Sequence, residues 1–290
     1  MFRFPVSVNG SFGCFLQVLV LVLGIGTAAR AAEPVRAITQ LAGDVYRFQN
    51  DAHFSVFMVT PEGVIATDPI TPEAAQWLNA EIQRRFNLPV KYVIYSHDHW
   101  DHVSGAAAFP DATIVAHANA VPHIAASDQP IEAPDITFNS ELEVKLGGKS
   151  VRLYYLGVSH SDNLVFMHFP EQRVLFGVDA ISVNRLPFQD LAGTDVNGLI
   201  GAISALEQME VDIVAPGHGD VGTLEDLAAH RVYLEALKDQ VTEMLRDGRS
   251  DDEIKAAIKM PEYRNWGSYD AWQQPNVQGM INYVKANYSF

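Results

Sequence analysis

Cysteine is nearly absent from this sequence, because Cys14 is the only one among 290 residues. This scarcity excludes an internal disulfide framework and any metal site built from several thiolates. A metal site in this chain would therefore depend on imidazole and carboxylate ligands. The sequence supplies both, with 10 histidines and 35 aspartates and glutamates.

Basic residues are also scarce, since 20 lysines and arginines face 35 acidic residues and the formal net charge is −15. So acidic a chain is a poor partner for a phosphate backbone, and we expect no nucleic-acid partner. Low-complexity segments and convincing repeats of 20–50 residues are absent too, which argues against a solenoid. With 48% hydrophobic residues, the chain has enough apolar material for one globular domain and an extension.

The N-terminal segment differs from the rest of the chain. One arginine and no acidic residue precede the apolar run CFLQVLVLVLGIG, and TAARAAEP follows it. A run of this length before small residues is typical of a secretory signal peptide, and it is short for a membrane span. We therefore predict a signal peptide at residues 1–31 and export to the periplasm or the medium, without stable membrane insertion after cleavage. An uncleaved N-terminal anchor is the alternative.

Short apolar runs broken by turn residues follow the signal segment. VRAITQL, DVYRFQN, FSVFMVT and GVIATDP predict consecutive β-hairpins. Thr71 and Pro72 then begin a helix, and VKYVIYS predicts a buried strand. Strands followed by a helix occur again before residue 222, which indicates two sheets packed face to face with helices outside.

The last part of the chain has a helical pattern from about Thr223. A long helix is predicted to end at Gly248, and Ser250 is placed to cap the next one. We predict a final helix over NVQGMINYVKAN. The aromatic residues before it are expected to pack against the core, with a homodimer contact as the alternative; they are Tyr263, Trp266, Tyr269 and Trp272.

Residues 96–105, SHDHWDHVSG, place three histidines and two aspartates just after the predicted buried strand. In an extended segment His97 and His99 point the same way, and Asp101 and His102 follow where the chain can turn. Neutral imidazole and carboxylate are the usual zinc ligands outside thiolate sites. The pattern therefore predicts a metal-binding loop, with a chance cluster of polar residues as the alternative.

Three further candidates follow apolar strands later in the chain. His160 lies in GVSHSDN, Asp179 in LFGVDAI and His218 in APGHGD. Alone, each fits an ordinary turn or helix cap. However, ligands gather at the carboxyl ends of strands in open sheets. With the first loop they make seven ligands, a number that suits two metal ions.

These motifs, in this order, resemble the metallo-β-lactamase-fold hydrolase superfamily over about residues 36–222. The resemblance implies an α/β (α+β) fold, a four-layer αββα sandwich with metals at one edge, here with a C-terminal helical extension. It also implies a catalytic domain over 32–222, with the extension over 223–290 packed on it. By the same resemblance His97, His99 and His160 would bind one zinc, Asp101, His102 and His218 the other, and Asp179 would bridge both.

Two zinc ions per chain are expected, with iron or manganese as second choices, because all the ligands are nitrogen or oxygen. Diiron relatives usually carry glutamate where this chain has His99, which also favours zinc. Two zinc ions would lower the pKa of a shared water and supply a metal-bound hydroxide near neutral pH. Asp101 is expected to orient this hydroxide. Asn163 resembles the residue that lies near the oxyanion in β-lactamases of this fold.

Several substrates fit this chemistry. The first expectation is a small cyclic amide or ester, either β-lactam-like or a lactone, and the second is a glyoxalase II-like thioester. A non-catalytic zinc-binding module is a third alternative. The lysine that holds the drug carboxylate in many β-lactamases is absent after Asp179, and only Arg185 is available to replace it. His53 and Phe54 are left open as substrate contacts, whereas we expect surface or packing roles for the remaining histidines, His117, His123, His168 and His230.

Overall fold

The computed structural model describes residues 33–289. The signal peptide predicted at residues 1–31 therefore lies outside the described residues, and it stays a prediction. Within 33–289, every helix is too short or too polar to cross a membrane.

The first of two β-sheets has seven strands that are neighbours in sequence order. They are β1 (Arg36–Ala42), β2 (Val45–Asn50), β3 (His53–Thr60), β4 (Gly63–Thr67), β5 (Val90–Ile94), β6 (Thr113–His117) and β7 (Ile136–Phe138). The first four strands pair antiparallel, as the hairpin pattern predicts, and β4 to β7 pair parallel.

The second sheet has five strands in the order β12-β11-β10-β9-β8. They are β8 (Glu141–Leu146), β9 (Lys149–Tyr154), β10 (Phe166–Phe169), β11 (Val174–Val178) and β12 (Ile213–Pro216). Only β11 and β12 are parallel to each other in this sheet. The carboxyl ends of parallel neighbours open at one edge, where ligands can be collected from several strands.

The two sheets pack against each other through a shared apolar cluster. Met58 and Ile65 of the first sheet and Met167 and Phe176 of the second belong to it, all fully buried. Alternate residues of β4 belong to a different cluster on the opposite face, as the period of two in a strand requires. Central strands of the first sheet are therefore buried on both faces.

Helices cover the outer face of each sheet. Helix α1 (Pro72–Phe86) lies on the first sheet, and the Thr71 side chain caps it by accepting a hydrogen bond from the Ala74 amide. The second sheet is covered by α4 (Val196–Leu206), α5 (Leu224–Arg246) and α7 (Tyr269–Asn287). Shorter helices are α2 (Trp100–Val103), α3 (Ala120–Ala126) and α6 (Asp251–Ala257). The expected αββα layers with a C-terminal helical region are confirmed.

The start of the last helix was predicted wrongly. Helix α7 begins at Tyr269, seven residues before NVQGMINYVKAN, and contains Pro275 in its interior. Proline removes one helical hydrogen bond and normally ends a helix. Here tertiary bonds hold the helix on both sides of it: Gln273 donates to the Ile258 carbonyl at 2.9 Å, and Asn276 accepts from the Tyr233 hydroxyl at 2.7 Å.

Candidate metal centre

The histidine loop begins where β5 ends. His97 is buried and His99 is exposed, and their rings lie 4.3 Å apart. The single turn of α2 then brings Asp101 and His102 back toward them. The expected combination of an extended segment and a turn is therefore present, and it turns four polar side chains toward one place.

The other candidates reach the same edge from the second sheet. His160 lies in the loop between β9 and β10, Asp179 directly follows β11, and His218 lies just after β12. Val178, the residue before Asp179, has a φ of 44°. A β-branched residue seldom adopts this left-handed conformation, and such strain is characteristic of functional sites.

Asp179 lies at the middle of the histidines, and its two oxygens face different groups. Oδ2 is 3.8 Å from His97 Nε2 and 3.7 Å from His160 Nε2. Oδ1 is 3.3 Å from His102 Nε2 and 3.4 Å from His218 Nε2. Each oxygen of Asp179 therefore faces its own pair of histidines.

Several polar atoms of this centre are buried without a hydrogen bond to any described residue. They are His97 Nε2, His102 Nδ1 and Nε2, and Asp179 Oδ1. Buried nitrogen and oxygen atoms are costly when they have no partner, and a bound cation would satisfy them. The side chains also form compact sets of ligand atoms: His97, His99, His160 and Asp179; His102, Asp179 and His218; and His53, Asp101 and His218.

The electrostatics of the centre differ among its histidines. Burial opposes protonation of His102, but Asp179 and Asp68 raise the pKa of this imidazole well above its usual value, so a metal ion would have to displace its proton. Burial lowers the pKa of His97 and of His218, and it lowers the pKa of His160 to about 4. These imidazoles are therefore neutral near pH 7, the state that binds metal. Burial opposes ionisation of Asp179, but the surrounding imidazoles, His102 first, hold the pKa of its carboxyl well below the usual range.

Comparison with known families agrees with this geometry. The family model of the metallo-beta-lactamase superfamily matches residues 53–218, more than half of the chain. The chain belongs to this superfamily. It is accordingly a metallo-hydrolase, and the centre is a site for divalent metal ions.

The relatives of this superfamily member are named for different activities. The chain is 31% identical over 196 residues to the 2,4-dinitroanisole O-demethylase subunit alpha of Nocardioides sp. (strain JS1661). The aligned region covers 64% of this chain and 58% of that subunit. The chain is 24% identical over 202 residues to the metallo-beta-lactamase type 2 of Bacillus cereus, covering 64% and 77%. The chain thus spans less than two thirds of the demethylase subunit.

Two solved structures share the fold. A metallo-beta-lactamase from Pontibacter korlensis superposes with a TM-score of 0.63 at 22% identity, covering 69% of this chain and 99% of that one. The stereoselective inverting sec-alkylsulfatase Pisa1 from Pseudomonas sp. gives a TM-score of 0.75 at 16% identity, covering 88% and 51%.

Asp68 lies beside the centre and was not predicted from the sequence. It follows β4, is fully buried, and accepts hydrogen bonds from the Ser96 amide at 2.8 Å and the Ser96 hydroxyl at 2.7 Å. Its Oδ2 is also 3.4 Å from His102 Nδ1. The strand-end position in GVIATDP was the available signal, and it is too common a pattern to single out one aspartate.

Asn163 is close to the metal loop, and its side-chain amide is already hydrogen-bonded to neighbouring residues there. Its Nδ2 donates to Asp98 Oδ1 at 2.7 Å and to Asp162 Oδ1 at 2.9 Å, and its Oδ1 accepts from the Asp98 amide at 3.0 Å. The residue is almost fully buried. These contacts fix the loop between His97 and His99, and a contact between Asn163 and substrate stays a prediction.

Two residues left open by the sequence lie beside the centre. His53 Nε2 is 3.2 Å from Asp101 Oδ2. Arg185 is half-buried, and its guanidinium carbon lies 4.4 Å from the centroid of the Trp272 ring. Burial lowers the pKa of Arg185 and the nearby charge of Asp179 opposes this change, yet the guanidinium has no hydrogen bond or ion pair with any residue in the range 33–289.

The other histidines have the packing and surface roles expected of them. His117 stacks on Tyr155 with ring centroids 3.9 Å apart, and His123 forms an exposed pair with Asp162. His168 and His230 are buried in the protein interior. The aromatic residues of the C-terminal segment are partly buried against the apolar cluster under α5 and α7; they are Tyr263, Trp266, Tyr269 and Trp272.

Proposed function

We propose that the centre holds two zinc ions and hydrolyses a small anionic ester or amide. His97, His99 and His160 would hold one ion, Asp101, His102 and His218 the other, and Asp179 both. The placement of the two Asp179 oxygens between two histidine groups is the observation that carries this proposal. When bound, a pair of zinc ions activates water near neutral pH and polarises a carbonyl or sulfuryl oxygen.

The residues of the chain would orient the reactants around the ions. The Asp179 carboxylate is ionised and would fix the separation between the two ions. Asp101 is half-buried at the same edge, with one oxygen directed to His53. Its position suits the second role predicted for it, which is to accept a hydrogen bond from the attacking water. That bond would direct the lone pair of the water oxygen toward the substrate.

The substrate would carry a negative charge, because the Arg185 guanidinium lies over the Trp272 ring beside the centre without a hydrogen bond or ion pair to any described residue. Its Cδ lies 3.8 Å from the position where a Cβ would stand on Gly219, next to His218. An unpaired charge in a half-buried place is unfavourable on its own, and a carboxylate or sulfate would receive two parallel hydrogen bonds from it. The first candidate therefore remains a β-lactam or lactone that carries a carboxylate.

An alkyl sulfate ester is a second candidate, favoured by the apolar surface around Arg185. Phe188 is 64% exposed and lies edge-on to Trp272 with ring centroids 5.1 Å apart. An anion attached to an apolar group would place its charge on the guanidinium and its apolar part on these rings. The glyoxalase II-like thioester has support in hydroxyacylglutathione hydrolase relatives that are 23% identical over 194 residues, but no contact in the described residues favours it.

A substrate panel tests the proposal. Zinc-loaded protein from residue 32 onward would be assayed on nitrocefin, a carboxylated lactone, a secondary alkyl sulfate and a thioester. Each anionic compound would be paired with its neutral methyl ester where one exists. We expect turnover of at least one anionic compound and a lower kcat/KM for its neutral partner. Zinc-loaded, folded protein that turns over none of these would contradict the proposed function.

Export is a further part of the proposal. Expression of the full chain in a Gram-negative host should give a periplasmic protein whose mass corresponds to cleavage near Ala31. A cytoplasmic protein of full-length mass would contradict it.

A further inference from the structure

His53 lies within the second group of ligands, although it belongs to neither the histidine loop nor the later motifs. It is the first residue of β3 and is half-buried. Its Nε2 lies 3.2 Å from Asp101 Oδ2, and its ring centroid is 4.7 Å from that of His218 and 5.8 Å from that of His102. His53, Asp101 and His218 offer ligand atoms that all lie within 4.8 Å of one another.

The backbone around His53 is joined directly to the loop that carries His218. The Phe54 amide donates to the Gly217 carbonyl at 2.8 Å, and His218 Nδ1 lies 2.8 Å from the Ala52 carbonyl oxygen. Arg47 adds a third connection, because its guanidinium lies over the Phe54 ring at 3.6 Å and donates to the Pro216 carbonyl at 3.1 Å. His53 and His218 are therefore held in a fixed relation, as preorganised ligands must be.

The separation between His53 and Asp101 is that of two donors on one ion. Zinc donors lie about 2.0–2.2 Å from the metal, so tetrahedral neighbours are about 3.3–3.6 Å apart and neighbours at a right angle about 3 Å apart. The distance of 3.2 Å from His53 Nε2 to Asp101 Oδ2 lies between these values. It matches the 3.3 and 3.4 Å that separate Asp179 Oδ1 from His102 Nε2 and His218 Nε2.

We propose that His53 is an additional ligand that coordinates the second ion through Nε2, together with Asp101, His102 and His218. This inference rests on the two-ion centre of the proposed function. With Asp179, the second ion would have five protein donors, whereas the first would have four, from His97, His99, His160 and Asp179. The two positions would then differ in coordination number, and the second suits five-coordinate zinc or an ion such as manganese or iron that accepts more ligands.

Two substitutions separate ligation from simple positioning of Asp101. His53→Ala removes both the ring and its contact with Asp101. His53→Gln keeps an N–H group that can donate to Asp101 but replaces the imidazole ligand. His123→Ala is the matched control, because His123 Nε2 contacts Asp162 Oδ2 at 3.1 Å in an exposed pair apart from the centre.

The test is titration of metal-free protein with Co²⁺ against a competing chelator, with the visible absorption spectrum and the proton NMR spectrum recorded at each step. We expect wild type to bind two ions. His53→Ala and His53→Gln should bind the first normally and the second about ten- to hundred-fold more weakly. Both should also lose one paramagnetically shifted, solvent-exchangeable imidazole N–H signal, while His123→Ala should match wild type.

The opposite results are equally clear. Wild-type affinity and an unchanged N–H count in His53→Gln would reduce His53 to a positioning residue and overturn the proposal, as would unchanged second-ion affinity in His53→Ala. Wild-type protein that binds fewer than two Co²⁺ ions would instead overturn the two-ion centre itself, and this inference with it. Thermal unfolding of the metal-free variants, expected at the wild-type temperature, establishes that they are folded.

Discussion

Asp68 is predicted to affect metal binding although it does not itself reach a metal ion. Its carboxylate accepts a hydrogen bond from the Ser96 hydroxyl, which has only one hydrogen to donate, and Ser96 Oγ lies 2.8 Å from His97 Nδ1. The Ser96 oxygen must therefore accept a hydrogen bond from the Nδ1–H group of His97, which leaves His97 Nε2 with a free lone pair. That nitrogen faces Asp179, so this chain of hydrogen bonds selects the tautomer able to bind metal.

Asp68→Asn would reverse this chain of hydrogen bonds. If the asparagine oxygen keeps its bond from the Ser96 amide, its NH₂ group points at the Ser96 hydroxyl. The hydroxyl must then donate to His97 Nδ1, and the imidazole proton moves to Nε2, where it blocks a metal ion. We expect about ten- to hundred-fold weaker binding of the first ion, equivalent to roughly 1.4–2.7 kcal/mol.

The same substitution also affects the metal-free protein. Both hydrogen bonds with Ser96 become bonds between neutral groups, which contribute about 0.5–1.5 kcal/mol each to the free energy of unfolding instead of about 1.5–3 kcal/mol for a bond to a charged group. Urea denaturation of metal-free protein measures this loss, and competition with a chromophoric chelator measures zinc affinity. Asp135→Asn is the control, because Asp135 Oδ2 also accepts a backbone hydrogen bond, from the Ile114 amide at 2.8 Å, but lies outside the centre.

The two measurements together decide the role of Asp68. Asp135→Asn should keep wild-type zinc affinity, whatever it loses in stability. If folded Asp68→Asn protein binds both zinc ions as tightly as wild type, the hydrogen-bond chain does not select the His97 tautomer and the reasoning is wrong.

Three further predictions follow from the geometry. Asp179→Ala should bind at most one ion tightly and lose more than about 100-fold in kcat, beyond the usual loss from a supporting residue; metal analysis and turnover measure both, and wild-type values would contradict a shared ligand. Arg185→Ala should raise KM for the anionic substrate about 10- to 150-fold, which corresponds to the loss of a hydrogen bond to a charged group, and should change KM for the neutral ester little. Equal effects on both substrates would exclude anion recognition. Burial lowers the pKa of His230 to about 4, so between about pH 6.5 and about pH 4 this histidine is protonated in the unfolded chain but neutral in the folded one. The free energy of unfolding should therefore drop by up to about 3 kcal/mol as the pH falls over that range. In urea denaturation, the dependence of this free energy on pH should be smaller by one proton in His230→Gln, and an unchanged dependence would contradict this.

The layered fold was largely predictable because its signals are local. Alternating apolar residues, the Thr71 cap and the Gly248 stop depend on neighbours in the sequence, and all three occur as predicted. The start of α7 was not predictable. Pro275 reads as a breaker on its own, and only contacts from Gln273 and Asn276 to distant residues keep the helix intact.

The sequence by itself determined seven of the side chains that gather at the centre. Each of the seven candidates follows an apolar strand or a turn directly after one, and strand ends are fixed by local composition. Their gathering at one edge could be expected from parallel strand pairs whose carboxyl ends share that edge. Their individual roles as ligands stay predictions until metal binding is measured.

Only the tertiary structure decided what surrounds those seven side chains. Asp68, His53 and Arg185 lie far apart in the sequence and in unremarkable local patterns. Sheet pairing and the hairpin that bonds to the His218 loop bring the first two to the centre, and Trp272 of α7 lies under the third. Such contacts depend on the direction of side chains across separate layers, and no short stretch of sequence encodes that direction.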